Sequence, residues 1–254
     1  MQEADYYTQE DGKIKCLLCP HYCKLSSGQT GLCQMRRAED GKLWATSYAQ
    51  VSAVALDPIE KKPLYEYHPH NQILSLGSIG CNLSCQFCQN YRIAQDLDVP
   101  TKELSPQEAV ELAQEKGSFG IAYTYSEPLI WYEYVRDTAK LAQQQGLKNV
   151  LVTNGTINPE PLKELLPYID AVNLDIKAFT EDFYRDICGG DFATAKKSAE
   201  IINASDTHLE ITTLIIPDLN DDPEEIKDLV DWIADLDPEI PLHLSRYFPH
   251  YKSD

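Results

Sequence analysis

Three cysteines in one short loop, Cys81, Cys85 and Cys88 of GCNLSCQFCQN, constrain this chain more than any other feature. They directly follow an apolar run at 73–78 that reads as a buried strand. Each thiolate can bind one iron of a cubane, and three of them leave the fourth iron open to chelate an external molecule. A structural zinc or a closed cluster takes four protein ligands. That alternative requires a fourth ligand elsewhere, such as Cys188 or a histidine.

A second group, Cys16, Cys19, Cys23 and Cys33, lies in CLLCPHYCKLSSGQTGLC. This stretch shows neither helical nor strand period, and a segment with so little apolar content needs a staple. Four thiolates suit a zinc knuckle slightly better, and a second iron–sulfur cluster nearly as well. His21 sits inside the segment and reads as solvent-exposed. The start, MQEADYYTQEDGK, is polar, and no apolar run approaches the ~20 residues that cross a bilayer. The expected compartment is therefore cytoplasmic, where thiols stay reduced and clustered cysteines read as metal ligands. A formal net charge of -18 argues against a nucleic-acid or anionic-membrane partner, because both would be repelled.

From residue 73 onward, strand patterns alternate with helical ones. Strands are expected at 73–78, 119–125, 149–153, 171–176, 209–216 and 241–247. Helices are expected at 105–115, 129–145, 159–166, 193–203 and 223–234. Shorter strand-like pieces lie at 43–48 and 51–56. The alternation predicts an α/β fold with a parallel sheet, an open partial (β/α)6 barrel with a small cysteine-rich N-terminal segment. The division expected is 1–67 for the metal-binding segment and 68–254 for the barrel, with the site at the C-terminal ends of the strands.

Cys-x3-Cys-x-aromatic-Cys after the first strand, with Phe87 as the aromatic, resembles the radical S-adenosylmethionine superfamily. CQN at 88–90, TYSEP at 124–128, TNG at 153–155 and NLDIK at 173–177 make it similar to the activating enzymes of pyruvate formate-lyase type. DPIEKKPLY at 57–65 and the N-terminal CxxCPxxC further resemble the radical enzymes of the AmmeMemoRadiSam system. The resemblance implies a 4Fe–4S cluster on Cys81, Cys85 and Cys88 that reductively cleaves S-adenosylmethionine to a 5′-deoxyadenosyl radical. It implies that Phe87, Asn90, Ser126, Glu127, Asn154 and Asp175 hold the cofactor, Glu127 receiving the methionine ammonium. Lys177 is implied on the substrate side, as a catalytic side chain. Tyr125 and Ser126 stand where the superfamily has two glycines. Val152 stands where activating enzymes carry a cation-binding aspartate, so no cation site is expected. The implied partners are a small-molecule or protein substrate and an electron donor such as flavodoxin or ferredoxin.

From the residues alone, Glu127 reads equally as a buried carboxylate paired to Lys177, and Asp175 and Lys177 as an internal ion pair on one strand face. Tyr123 and Tyr125 share that kind of face and suit either a cavity wall or the core. Cys188 reads as a buried structural cysteine, and the acidic run at 218–225 as a solvated helix start. Two other functions stay open. One is an activase that installs a glycyl radical on a protein; the other is a non-catalytic iron–sulfur or zinc interaction module, which needs no cofactor pocket.

Overall fold

The computed structural model describes residues 1–97, 99–249 and 251–252; the C-terminal bound expected at Asp254 lies outside them. Its centre is a seven-stranded sheet. In chain order the strands are β1 (Ala53–Pro58), β2 (Gln72–Gly77), β3 (Gly120–Thr124), β4 (Lys148–Thr153), β5 (Ala171–Asp175), β6 (His208–Ile215) and β7 (Leu242–Arg246), and they lie side by side in that same order. β2 to β7 are mutually parallel, and β1 is antiparallel to β2. The sequence pattern predicts six strands. The seventh, β1, comes from the short piece expected at 51–56, so a boundary at residue 67 falls between two paired strands.

Helices α1 (Pro106–Glu115), α2 (Tyr132–Gln144), α3 (Pro159–Leu165), α4 (Phe192–Asn203) and α5 (Pro223–Leu236) carry the chain back between successive parallel strands. The residues explain both kinds of element. β3 is buried along its whole length, as a strand covered on both faces must be. α1 opens on a capping box, Ser105 and Glu108 each satisfying the other's backbone N–H, with Pro106 at a position that has no N–H to lose. Asp191 and Asp222 cap α4 and α5 by accepting from backbone N–H groups of the first turn, Thr194 for the one and Glu224 and Glu225 for the other. On α2, Tyr132, Val135, Ala139 and Ala142 fall on one buried stripe.

The N-terminal segment differs from expectation. Tyr7–Glu10 pairs with Lys13–Cys16, and Arg36–Glu39 with Lys42–Ala45. Both hairpins turn on the same tetrapeptide, Glu-Asp-Gly-Lys. Asp11 and Gly12 have φ of 50° and 73°, and Asp40 and Gly41 have 50° and 74°, the left-handed pair that two-residue hairpin turns require. Ile14, Leu18 and Leu43 are buried in the same core as Leu74, Tyr134 and Leu151, so the segment holds apolar contacts of its own. Asn158, in the β4–α3 connection, donates through its backbone N to Leu18 O (2.9 Å) and through Nδ2 to Leu17 O (2.7 Å). The segment thereby docks where the strands end.

Candidate active site

The C-terminal ends of β2 to β7 surround a cavity of about 360 Å³. β2 ends at Gly77, and the loop behind it brings Cys81, Cys85 and Cys88 to the cavity wall. Phe87, between the last two cysteines, is buried against Phe183 with ring centroids 5.8 Å apart. Asn90 is exposed at the mouth and also lines the cavity.

The Cys81 sulfur has two donors near it. The Leu83 backbone N–H lies 3.4 Å from Cys81 Sγ, and Asn154 Nδ2 donates to the same sulfur from 3.7 Å. Burial pushes the thiols of Cys81 and Cys88 upward; for Cys85 a hydrogen bond with the Cys188 thiol is the larger cause, with burial behind it. Metal binding deprotonates a thiol, so iron ligation would replace the proton on each of these sulfurs. N–H donors and a nearby lysine then stabilise the ligated form. These residues fit an open cubane. Cys188 is wholly buried and does not line the cavity.

Glu127 is 1% exposed, yet lines the cavity. Its Oε1 accepts from the Leu129 N–H (2.9 Å) and from Thr153 Oγ1 (2.5 Å), and its Oε2 from the Asn154 N–H (2.9 Å). Burial raises its pKa to about 7 despite these donors. Oε2 has only one of these three partners and keeps room for a further donor, such as a ligand ammonium. The alternative pairing with Lys177 is not what the geometry shows. Lys177 Nζ instead meets Asp175 Oδ2 at 2.9 Å. Burial opposes the lysine charge, but Asp175 and the Cys85 sulfur outweigh it and hold its pKa above the ordinary value. Asp175 and Lys177 both line the cavity, so the ion pair and the site are one feature.

Ser126 Oγ and Ser78 Oγ share a hydrogen bond of 2.7 Å, which joins the ends of β2 and β3. Tyr125, standing at a glycine position of the pattern, has φ of 70°, an uncommon conformation for a bulky side chain. It is held from outside. Its hydroxyl donates to Asp57 Oδ2 (2.7 Å), and Lys62 Nζ sits 4.8 Å above its ring while pairing with the same carboxylate at 2.9 Å. DPIEKKP therefore braces a strained corner of the site, and Lys61 and Pro63 from the same motif line the cavity. Tyr123, by contrast, is fully buried and donates to Asn149 Oδ1; the two tyrosines do not share a face because the chain turns at Tyr125.

Sequence reasoning missed Thr153, which orients Glu127, and the cavity-lining Lys61, Asn173, Thr212 and Arg246. Three of these lay inside motifs already singled out; Thr212 and Arg246 carried no local signal. The four N-terminal cysteines line one small cavity with Arg36. Among the described residues, no three His, Cys, Asp or Glu side chains, in either cysteine group, stand at the spacing of a single bound ion. His21 is half-buried, with Nε2 2.7 Å from Asn82 O, and not free in solvent.

Residues 76–233 match the Radical SAM superfamily. Over 99% of its length the chain is 39% identical to an uncharacterized protein of Methanocaldococcus jannaschii, of which it covers 76%. It is 29% identical to the pyruvate formate-lyase-activating enzyme of Clostridium pasteurianum, across 62% of this chain and 67% of that one. Streptococcus suis SuiB bound to S-adenosylmethionine has a similar fold, with a TM-score of 0.57 at 18% identity, over 72% of this chain. The match covers 44% of that solved chain, so the present chain corresponds to less than half of it.

Proposed function

Because this chain belongs to the radical SAM superfamily, whose members are enzymes that use a 4Fe–4S cluster and S-adenosylmethionine, we propose that Cys81, Cys85 and Cys88 hold that cluster here with one iron open. When bound together, cluster and cofactor supply one-electron cleavage of the sulfonium to a 5′-deoxyadenosyl radical, which abstracts hydrogen from a substrate. The observation that carries the reading is the convergence of the three sulfurs, Glu127 and the Asp175–Lys177 pair on one cavity.

In this reading Glu127 Oε2 accepts the methionine ammonium, and Thr153 and the two backbone N–H groups fix the carboxylate in place for it. Asn154 orients Cys81 and the ribose side, Ser126 and Phe87 complete the cofactor wall, and Asn90 closes the mouth. Lys177, held by Asp175, faces the substrate side as a positioned cation. The unit from residue 68 onward carries the six parallel strands of the radical domain, an open partial barrel to which β1 adds an antiparallel edge, and the four N-terminal cysteines hold a separate metal centre, zinc or a second iron–sulfur cluster.

The finer assignment is to the radical enzymes of the AmmeMemoRadiSam system. Its support is DPIEKKPLY, which braces Tyr125 at the cavity, together with CxxCPxxC. Glycyl-radical activation of a protein is the second reading, favoured by the likeness to the Clostridium pasteurianum enzyme. Incubating the reconstituted enzyme anaerobically with a low-potential donor, S-adenosylmethionine and a deuterated substrate pool tests the hydrogen-abstraction step. Deuterium in recovered 5′-deoxyadenosine supports it, and its absence from every substrate class argues against it.

A further inference from the structure

The two cysteine groups are adjacent in space. Cys16, Cys19 and Cys33 are buried, and with Cys23 they line one small cavity. On one side of it lies Arg36, 1% exposed. Its Nη2 meets Glu133 Oε1 at 2.5 Å and its Nη1 donates to Asp5 O at 2.8 Å, while its Nε has no partner in the structure. A buried guanidinium with an unpaired N–H is costly unless an acceptor completes it. Four thiolates around a divalent metal carry net negative charge, and this guanidinium stands beside Cys16 and Cys33.

On the other side lies the loop of the catalytic cysteines. A Cβ on Gly80 would stand 2.5 Å from the Cys33 carbonyl oxygen and 2.6 Å from Met35 Cγ, and the residue has φ of 82°. Only glycine allows this approach. The Asn82 side chain stands near the Cys19 sulfur, and the His21 ring meets the Asn82 carbonyl at 2.7 Å. Asn154 Nδ2 bridges Asn82 Oδ1, at 3.2 Å, to Cys81 Sγ. Gly80, Cys81 and Asn82 are thus gripped by the N-terminal cysteine segment.

We propose that Cys16, Cys19, Cys23 and Cys33 hold a four-thiolate metal centre, either zinc or an iron–sulfur cluster, whose charge Arg36 offsets and whose formation fixes Cys81 for cofactor binding at the open iron. Arg36 and His21 are positioning residues in this scheme. The proposal rests on the radical SAM reading of the second group and extends it from one centre to two coupled ones.

The test uses full-length protein reconstituted anaerobically with iron and sulfide, with and without zinc. Elemental analysis and the EPR signal of the reduced cubane, titrated with S-adenosylmethionine, are the readouts. Wild type should carry about one zinc, or about four irons, beyond the cubane. Cys16→Ser/Cys19→Ser should lose that increment and keep the cubane, with the cofactor-induced EPR change needing at least about tenfold more cofactor. Arg36→Met/Glu133→Gln, which removes both charges of the buried pair, should bind the N-terminal metal about 10- to 100-fold more weakly. His21→Phe touches no thiol and should keep both metals while weakening the cofactor response. No metal beyond the cubane in wild type overturns the site. An EPR titration that matches wild type both in the serine variant, with its N-terminal metal lost, and in the His21 variant overturns the coupling. A wild type without any cubane defeats the radical reading itself, and is distinguishable from both.

Discussion

Glu127 is a carboxylate whose protonation is set by a contest between burial and three donated hydrogen bonds, and burial wins, with a pKa of about 7. The sign has two consequences. A folded pKa above the unfolded value means that the stability tied to its protonated form is present at low pH and lost as pH rises toward 7. Cofactor binding runs the other way, because an ammonium is held by the ionised form. Affinity for S-adenosylmethionine should therefore rise as pH goes from about 6 to 8, measured by anaerobic titration of the reduced cubane. Glu127→Gln should flatten that profile and lower affinity about ten- to a hundredfold, since a charge-assisted hydrogen bond contributes about 1.5–3 kcal/mol. Iron content should not change. The variant also turns an amide NH2 toward the Asn154 N–H or the Leu129 N–H, so some loss of Tm is expected; a pH profile identical to wild type would remove Glu127 from cofactor binding. At Tyr125 the hydroxyl bond to Asp57 is the testable part of the brace. Burial opposes the Asp57 charge, but Tyr125, Lys62 and Lys61 hold its pKa well below the ordinary carboxylate value. Tyr125→Phe should cost about 1.5–3 kcal/mol in denaturant unfolding, and no loss would mean the strained corner needs no brace.

At the scale of elements, β6 and β7 are tied to the turn that follows β1. Glu210, 0% exposed on β6, accepts from the backbone N–H groups of Tyr65 and Glu66 and from the rings of His208 and, on β7, His243. Burial raises its pKa, but these donors outweigh burial and lower it to about 2. A depressed folded pKa contributes stability above the unfolded value, lost as pH falls from about 4.5 toward 2. The stability gap between wild type and Glu210→Gln should be of order 3 kcal/mol at pH 7 and close in that window. A constant gap across it would assign the cost to shape alone. The run of parallel strands was legible because apolar strand patterns alternate with helical ones, and because helices between them carry caps such as Ser105. β1 was not, since its partner is set by pairing across the chain and not by its own pattern. The N-terminal hairpins were legible in principle from two Asp-Gly turns and from the alternation along Lys13–Cys16, but strands of four residues are too short to set a period on their own. Which acid takes Lys177 depends on backbone geometry that spacing does not encode, and so does the left-handed turn at Tyr125.

For the whole molecule, one core runs from the N-terminal hairpins through the parallel sheet, and the cysteine groups face each other across Gly80–Asn82. Among the described residues no helix is long and apolar enough to cross a membrane. The chemistry was legible early because three cysteines at fixed spacing on one loop have few uses; the coupling between the two groups was not, because residues 33 and 80 meet only in the fold. The central claim is that the cavity at the strand ends binds an open cubane and S-adenosylmethionine together. It is tested most directly by adding dithionite and S-adenosylmethionine to the anaerobically reconstituted protein and assaying 5′-deoxyadenosine. Wild type should release it, and Cys81→Ala, Cys85→Ala and Cys88→Ala should each release none. A wild-type protein with a full cubane that yields no 5′-deoxyadenosine, and whose reduced EPR spectrum is unmoved by saturating cofactor, would contradict the account.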